Sequence, residues 1–171
     1  MSSLNPYKKL WSEFCENKLA FLALLVLLVL IVLSLLSPII SPQDPYNLSE
    51  INILEGRLPP GTHSERGYIY FLGTDDQGRD MLSAILYGLR ISLAVGVSSG
   101  IFAFIFGLSV GLFAAYNGGI IDKLIMRFVD MQLSFPAILI ALILLTTLGR
   151  GTDKVIIALI ASQWVYYARV A

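Results

Sequence analysis

The densest group of chemically capable side chains lies in FLGTDDQGRDMLSAILYGLR, residues 71 to 90. It holds three aspartates and two arginines in a chain of which only 14% is charged. Oxygen ligands from Asp75, Asp76 and Asp80 are what a divalent metal would need. The two arginines oppose that reading, because their positive charges repel a cation. The sequence therefore predicts no metal site here.

Residues for catalysis are equally scarce. His63 is the single histidine, no nucleophile is paired with a base, and no glycine-rich phosphate cradle is present. The only cysteine, Cys15, excludes an internal disulfide and a multi-cysteine metal site. We therefore expect a protein that is not an enzyme and that needs no cofactor.

The same stretch has the pattern of a helix start. Thr74, followed three residues later by Gln77, has the form of a capping box. Asp75 and Asp76 would then lie in the first turn, where carboxylates complement the helix dipole. Apolar residues follow at helical spacing, at Met81, Leu82, Ile85, Leu86 and Leu89. This predicts an amphipathic helix over about residues 75–89 on the outer membrane surface.

Two roles remain open for this polar stretch. In the structural one, Asp75 pairs with Arg79 one turn on, and Arg90 snorkels at the mouth of the following apolar run. In the other, the stretch is a docking or gating element for something that arrives from outside. Periodicity alone does not separate the two.

The composition of the whole chain shows which elements hold this stretch. Hydrophobic residues make up 56% of the chain, whereas a soluble domain is about half apolar and roughly a quarter charged. The net charge is zero, so electrostatics give no support for nucleic acid as a partner. The sequence predicts an all-α integral membrane protein, a polytopic helix bundle.

Four apolar runs are long enough to cross a bilayer. The predicted spans are residues 19–37, 91–116, 128–148 and 155–171. Between them lie an N-terminal cytoplasmic segment 1–18, an external loop 38–90, a cytoplasmic turn 117–127 and a short external loop 149–154. The first run is read as an uncleaved helix ended by its prolines, because it is too long for a signal peptide and no small-x-small cleavage site follows.

Small residues recur along the second span in two registers. One register is Ser92, Gly96 and Gly100, and the other is Ala103, Gly107, Gly111 and Ala115. In lipid, helices pack chiefly through close backbone approach at such residues. We therefore expect Gly96, Gly100, Gly107 and Gly111 to pack this helix inside a bundle.

The third span begins with a polar stripe. Lys123, Arg127, Asp130 and Ser134 recur at helical spacing, and Pro136 is expected to kink the helix. A carboxylate within a span is costly unless it is paired, and Arg127 is the nearest candidate partner for Asp130.

Basic residues give an orientation. Six of them fall on one side of the predicted spans: Lys8, Lys9, Lys18, Lys123, Arg127 and Arg169. The opposite side also has six, but they are spread over longer loops and diluted by acids: Arg57, Arg66, Arg79, Arg90, Arg150 and Lys154. The positive-inside rule therefore favours placing the first six inside, which puts both termini in the cytoplasm.

Four segments together carry a family resemblance. LGTDDQGRDMLSAILYGLRISLAVG, AAYNGGIIDKLIMRFVD, LSFP and WVYYAR, in this order, resemble the inner-membrane permeases of binding-protein-dependent ABC importers of the dipeptide, oligopeptide and nickel class. The likeness is to the second of the two paired permeases. It implies the N-terminal part of a type I ABC importer transmembrane domain. Matching positions on the external face are Gly73, Thr74, Asp75, Gly78, Arg79, Asp80, Gly88, Arg90 and Ser92, with Asp76 beside them. Those of the second block are Asp122, Arg127, Asp130 and Pro136.

The resemblance also implies a role and partners. An external solute-binding protein would deliver small peptides, nickel or a related solute to a pair of permeases in the bacterial inner membrane. Transport would proceed by alternating access, driven by two cytoplasmic ATPase subunits, and this chain itself would hydrolyse nothing. The expected partners are a second permease subunit, the two ATPase subunits, the solute-binding protein and membrane lipid.

One departure from the family bears on function. The family carries an EAA-type motif after WVYYAR, which forms the coupling helix for the ATPase, and further spans. This sequence ends at Ala171, before that motif. We therefore expect the chain to insert but not to support ATP-driven import until the C-terminal half is supplied. The alternative is a non-transporting membrane fragment or an assembly partner of a permease.

Overall fold

The computed structural model describes residues 11–12 and 14–171, and helices dominate it. In order, the elements are α1 (Lys18–Ile40), a short 3₁₀ helix (Ile53–Glu55), β1 (Thr62–His63), β2 (Ile69–Tyr70), α2 (Met81–Asn117), α3 (Gly119–Leu133), α4 (Ala137–Leu148) and α5 (Thr152–Val170). The all-α bundle predicted from the sequence is confirmed. The predicted cytoplasmic segment 1–18 lies mostly outside the described residues. The chain divides into two compact units, Met1–Arg90 and Ile91–Ala171.

Helix α1 begins at a side-chain cap and continues through a proline. The Oδ1 atom of Asn17 accepts hydrogen bonds from the N–H groups of Leu19 and Ala20. We expected the helix to end at its first proline, but Pro38 lies inside it. Proline has no N–H to offer the carbonyl four residues back. The hydroxyl of Ser37 donates to that carbonyl, on Ser34, at 2.9 Å. The helix therefore loses no acceptor there and reaches Ile40.

The burial pattern of α1 is the reverse of that in a soluble protein. Its buried residues are Ser34 and Ser37, and its large apolar side chains are mostly exposed. In water such an exposed apolar surface would favour aggregation, whereas in lipid it is the expected surface.

Helix α2 is one continuous element of 37 residues. We expected a separate amphipathic helix over residues 75–89 followed by a span from residue 91. The structure instead begins the helix at Met81 and runs it without a break to Asn117. Residues 74–80 form a tight loop, in which Thr74 and Asp80 pair as an isolated antiparallel bridge.

Helices α3 and α4 meet at a sharp bend. Their axes differ by 87°, and Ser134, Phe135 and Pro136 separate them. A proline lacks the N–H and crowds the preceding turn, which accounts for the break. The predicted kink at Pro136 is thus a complete interruption. Helix α3 also starts at Gly119, so the predicted cytoplasmic turn 117–127 is mostly helical.

Length and composition single out the helices that can cross a membrane. Within the described residues these are α1 and α2, and the bent pair α3–α4 counts as a third if it forms one span. Helix α5 has 19 residues but carries Asp153, Lys154 and Arg169. Its role as a fourth span stays a prediction.

The second unit has a small apolar core where α3 packs on α5. Val129, Val165 and Ala168 are almost completely buried. The partly buried apolar residues packed around them are Ile125, Leu133 and Trp164. The amide of Gln132 adds a hydrogen bond of 2.6 Å to the carbonyl of Ala161. These contacts fix α3 against α5.

Candidate functional site

The loop between α1 and α2 folds around a buried carboxylate. Glu55 lies at the end of the 3₁₀ helix and is 7% exposed. Its side chain accepts hydrogen bonds from the hydroxyl of Tyr70 at 2.5 Å and the N–H of Glu65 at 2.6 Å. The hydroxyl of Ser64 donates to both carboxylate oxygens, at 3.3 and 3.2 Å. We call Glu55, Ser64 and Tyr70 the Glu55 cluster.

The Glu55 cluster changes the acidity of its members. Burial acts to raise the pKa of Glu55, but the donated hydrogen bonds and the charge of Arg66 outweigh it and lower the pKa. Burial and the hydrogen bond to Glu55 raise the pKa of Tyr70. Glu55 is thus held as an anion that organises the loop.

Thr74 joins this cluster to the stretch that the sequence singled out. Its hydroxyl donates to the carbonyl of Glu55 at 2.6 Å and accepts from the N–H of Leu58 at 2.8 Å. Thr74 is therefore a buried structural residue and not the cap of a helix. Gly73 is also buried, with φ of +77°, and an added Cβ would collide with the carbonyl oxygen of Leu58.

Asp75 and Asp76 have different surroundings. The Oδ1 atom of Asp75 accepts from the N–H groups of Gln77 at 2.8 Å and Arg79 at 2.9 Å, which closes a turn. The expected ion pair between Asp75 and the Arg79 side chain is wrong, because within the described part of the chain this carboxylate binds backbone only. Asp76 forms an exposed ion pair with Arg57 at 2.6 Å.

Asp80 is the residue that caps α2. It is completely buried, and its Oδ2 atom accepts from the N–H and the hydroxyl of Ser83, at 2.8 and 2.5 Å. That is the geometry of an N-cap, three residues before its donor. Gly78 prevents a helix from starting earlier, because it has φ of +79° and a Cβ there would collide with the carbonyl oxygen of Asn52. The predicted capping box at Thr74 is therefore wrong.

Arg79 and Arg90 make no ion pair within the described residues. The Nε atom of Arg79 is buried without a hydrogen-bond partner there. Arg90 is exposed. The chain also shows no group of three or more His, Cys, Asp or Glu side chains that could hold a metal ion, within residues 11–12 and 14–171.

The two small-residue registers of α2 have different environments. A Cβ on Gly107 would collide with the carbonyl oxygen of Trp164, and one on Gly111 would lie 2.7 Å from the carbonyl oxygen of Ala168. These two glycines therefore let α2 and α5 approach closely. A Cβ on Gly96 or Gly100 would meet no atom of the described chain within 4 Å. Those two glycines face open space within the described part of the chain.

Asp130 pairs with a residue that the sequence did not suggest. Its Oδ1 atom lies 3.3 Å from Nη1 of Arg169, on α5. The expected pairing with Arg127 is wrong, and Arg127 is exposed and lines a shallow groove beside Lys123. Arg127 is nearer to Asp130 in sequence, three residues away on the same helix. Arg169 lies far along the chain, but the packing of α5 on α3 places it beside Asp130.

An apolar cavity of about 720 Å³ lies within the second unit. Its lining residues are Phe106, Phe128, Gln132, Ile140, Ile157, Ile160, Ala161 and Trp164. The ring of Trp164 contacts those of Phe106 and Phe128, with centroid distances of 5.2 and 6.3 Å. Gln132 is the polar side chain of this lining besides the indole, and its amide already donates to Ala161.

Three residues central to the loop were missed by sequence reasoning: Gln43, Glu55 and Tyr70. Glu55 follows two apolar residues and Tyr70 lies in an apolar run, so neither stands out as polar chemistry. Gln43 lies between Pro42 and Pro45, in a segment read only as the end of a helix. The available signal was the alternation of Tyr68 and Tyr70 next to Ser64, which is typical of a small hairpin.

Comparison with known protein families agrees with this architecture. Residues 5–60 match the family described as the N-terminal TM domain of oligopeptide transport permease C. Residues 107–171 match the family described as binding-protein-dependent transport system inner membrane component. The first match covers α1 and the start of the loop between α1 and α2, and the second covers the end of α2 through α5.

Curated relatives match nearly the whole chain. The dipeptide transport system permease protein of Haemophilus influenzae is 33% identical over 164 residues, which are 96% of this chain and 55% of the relative. That of Bacillus subtilis is 34% identical over 168 residues, 98% of this chain and 50% of the relative. The oligopeptide transport system permease protein of Bacillus subtilis is 30% identical over 98% of the chain.

The chain spans about half the length of the curated relatives that it matches. The two family matches and these relatives agree with the helical membrane architecture, and the relatives are transport permeases and not enzymes. The chain is therefore a multi-pass membrane protein whose residues 107–171 match the inner-membrane components of binding-protein-dependent transport systems, and nearly its whole length is similar to peptide transport permeases of the second-permease type.

Proposed function

We propose that this chain is the permease component of an ABC importer that takes up small peptides delivered by an external solute-binding protein. The observation that carries the proposal is that nearly all of the chain aligns with dipeptide permeases from two distant bacteria. ATP is hydrolysed on two separate cytoplasmic subunits, and a second permease completes the pathway. Both termini of this chain face the cytoplasm, so the loop between α1 and α2 faces outward.

The loop is suited to receive a protein from outside because its fold is fixed in advance. Glu55 and Thr74 hold its interior through short hydrogen bonds. Of the docking candidates predicted from the sequence, Gly73, Thr74, Gly78 and Asp80 are buried and shape the loop from within. Those that a partner can touch are the exposed Asp76 and Arg90 and the half-buried Asp75 and Arg79. A preformed surface lowers the entropic cost of binding.

The experiment joins this chain to the C-terminal half of the Bacillus subtilis dipeptide permease. The fusion is expressed in a strain that lacks this permease but keeps the other transporter subunits, and uptake of a labelled dipeptide is measured. We expect uptake that unlabelled dipeptides compete for and that is lost without the solute-binding protein. A fusion that inserts normally but transports nothing would contradict the proposal and favour an assembly role.

A charge reversal tests the docking surface within the same strain. Asp76→Lys breaks the exposed pair with Arg57 and should raise the apparent KM for delivered dipeptide while leaving the amount of inserted protein unchanged. Glu65→Lys, at another exposed acid of the loop, is the matched control. Equal effects of the two substitutions would argue against a specific role for Asp76.

A further inference from the structure

Gln43 makes more long-range contacts than its position in a loop would suggest. The side chain is 2% exposed, and its Oε1 atom accepts from the N–H of Asp80 at 2.6 Å. Its Nε2 atom donates to the carbonyls of Glu50 at 3.0 Å and Gly78 at 3.5 Å. Its own N–H donates to the hydroxyl of Ser83 at 3.4 Å. One glutamine thus binds four points along the chain.

These contacts lie where two membrane helices meet the outer loop. Gln43 follows the end of α1, which is at Ile40, and Asp80 is the cap of α2. Because Ser83 binds both Asp80 and Gln43, the three form one connected group. We call Gln43, Asp80 and Ser83 the Gln43 joint.

A preformed turn is attached to this joint. The carboxylate of Glu50 accepts from the N–H of Asp44 at 2.8 Å and from the amide of Asn47 at 2.9 Å. The N–H of Glu50 donates to the carbonyl of Asn47 at 3.0 Å. These hydrogen bonds hold the Asp44–Glu50 turn together internally. The turn is connected to Gln43 by the hydrogen bond that the carbonyl of Glu50 accepts.

One polar atom of the joint, and one of the residue next to it, are buried without a hydrogen-bond partner in the described chain. The Oδ1 atom of Asp80 and the Nε atom of the adjacent Arg79 are buried and form no hydrogen bond within the described chain. An unpaired buried polar group is costly and is rare in folded proteins. Within the described residues, Asp80 thus already has one acceptor atom without a partner. We therefore expect the loss of one of its existing hydrogen bonds to destabilise the start of α2.

We propose that Gln43 is a positioning residue that transmits displacement of the Asp44–Glu50 turn to the first turn of α2. The inference rests on the proposed function, since it makes the outer loop the place where an arriving partner acts. A partner that presses on the turn moves the carbonyl of Glu50, and Gln43 carries this movement to the N-cap of α2. A second link, the ring contact of Tyr46 with Tyr87 at 6.2 Å, stabilises the turn but does not reach Asp80.

The test is a double-mutant cycle read by amide hydrogen exchange on the full chain in lipid nanodiscs. Glu50→Ala loosens the turn, and Gln43→Met removes the side-chain hydrogen bonds while keeping the size of the side chain. In an otherwise unchanged chain, we expect each substitution to speed exchange of the amides of Asp80, Ser83 and Ala84 by roughly three- to tenfold. In the Gln43→Met chain, Glu50→Ala should add nothing at these amides.

Two controls separate transmission from a general loss of packing. Gln77→Met changes an exposed glutamine of the same loop, and Tyr46→Leu removes the ring contact. Neither should change exchange at Asp80 or Ser83.

Three outcomes decide the proposal. Additive effects of the two substitutions would overturn it, and so would unchanged exchange in Gln43→Met. Non-additive effects confined to the first turn of α2 would support it. The exchange measurement requires no transport, so a failure of dipeptide uptake by the fusion protein would count against the proposed function and not against the joint.

Discussion

The guanidinium of Arg169 and the carboxylate of Asp130 lie 3.3 Å apart and connect the end of α5 to α3. Both side chains are about half exposed, at 51% and 53%. The apolar contacts of Val129 with Val165 bring the two helices together, and the ion pair lies at the edge of that contact. The pair thus orients the end of α5 on a contact that apolar packing already supports.

The ion pair should contribute a small and measurable free energy. Asp130→Ala and Arg169→Ala, combined in a double-mutant cycle, should give a coupling of roughly 0.2–1 kcal/mol, because a half-exposed pair is screened by solvent. Arg127→Ala serves as control and should show no coupling with Asp130→Ala. Reversible unfolding in detergent measures all variants, and coupling of Asp130 to Arg127 instead would contradict the geometry.

The two glycine registers of α2 should respond differently to one added methyl group. Gly107→Ala should destabilise the chain by about 1–3 kcal/mol, because its Cβ would meet the carbonyl oxygen of Trp164. Gly100→Ala should be neutral or slightly stabilising in the isolated chain, because nothing described lies within 4 Å. Thermal unfolding followed by circular dichroism compares them. Equal losses would show that the Gly107 contact is not close.

The cap of α2 should depend on an acceptor at residue 80 more than on a charge. Asp80→Ala removes the acceptor for the N–H of Ser83 and should cost about 1 kcal/mol. Asp80→Asn keeps an acceptor, since asparagine is an equally good N-cap, and should retain most of the stability. Thr74→Ser tests the discarded cap position and should leave the start of α2 unchanged. Amide exchange over residues 81–84 provides the readout.

The Glu55 cluster should make the hairpin sensitive to acid. The pKa of Glu55 is lowered in the folded loop, so its carboxylate contributes stability that is present above the usual value of 4.5. This contribution is lost as the pH falls below 4.5 and through the lower folded pKa. The protection of the amides over residues 62–70, measured against their intrinsic exchange rate at each pH, should therefore fall in that range in the unchanged chain. In Glu55→Gln the hairpin should be looser at neutral pH and insensitive to acid, whereas the exposed Glu65→Gln should behave like the unchanged chain.

The orientation of the chain can be read from two fusion sites. A periplasm-active reporter fused after Gly61, in the outer loop, should be active, and one fused after Gly118, between α2 and α3, should be silent. A cytoplasm-active reporter should give the opposite result at both sites. Reversed activities would place the outer loop in the cytoplasm and would remove the basis for docking from outside.

Local sequence pattern was sufficient where the structure depends on local spacing. The second small-residue register of α2 follows a strict four-residue repeat, and Gly107 and Gly111 lie against α5 as that repeat suggests. Apolar length alone identified α1 and the part of α2 from residue 91 onward, because uncharged runs of about 20 residues are typical of transmembrane helices.

The sequence failed where the deciding contact comes from far along the chain. Thr74 looked like a cap because three local residues fitted the motif, but Asn52 and Gln43 determine the conformation at Gly78 and Asp80. Asp130 likewise takes its partner from a helix that begins 22 residues later, at Thr152. A motif made only of neighbouring residues cannot predict contacts that come from distant parts of the chain.

The length of α2 has a consequence for how the chain responds to the lipid around it. Helix α2 has 37 residues, and its uncharged part, residues 91–116, is about 39 Å long, against roughly 30 Å for the hydrocarbon core of a bilayer. α1, with 23 residues, is about 34 Å long and nearly matches that core. Thicker bilayers therefore create hydrophobic mismatch at α1 first, while α2 absorbs the change by altering its tilt. A change in the length of the lipid acyl chains should therefore strain α1 and leave α2 unstrained.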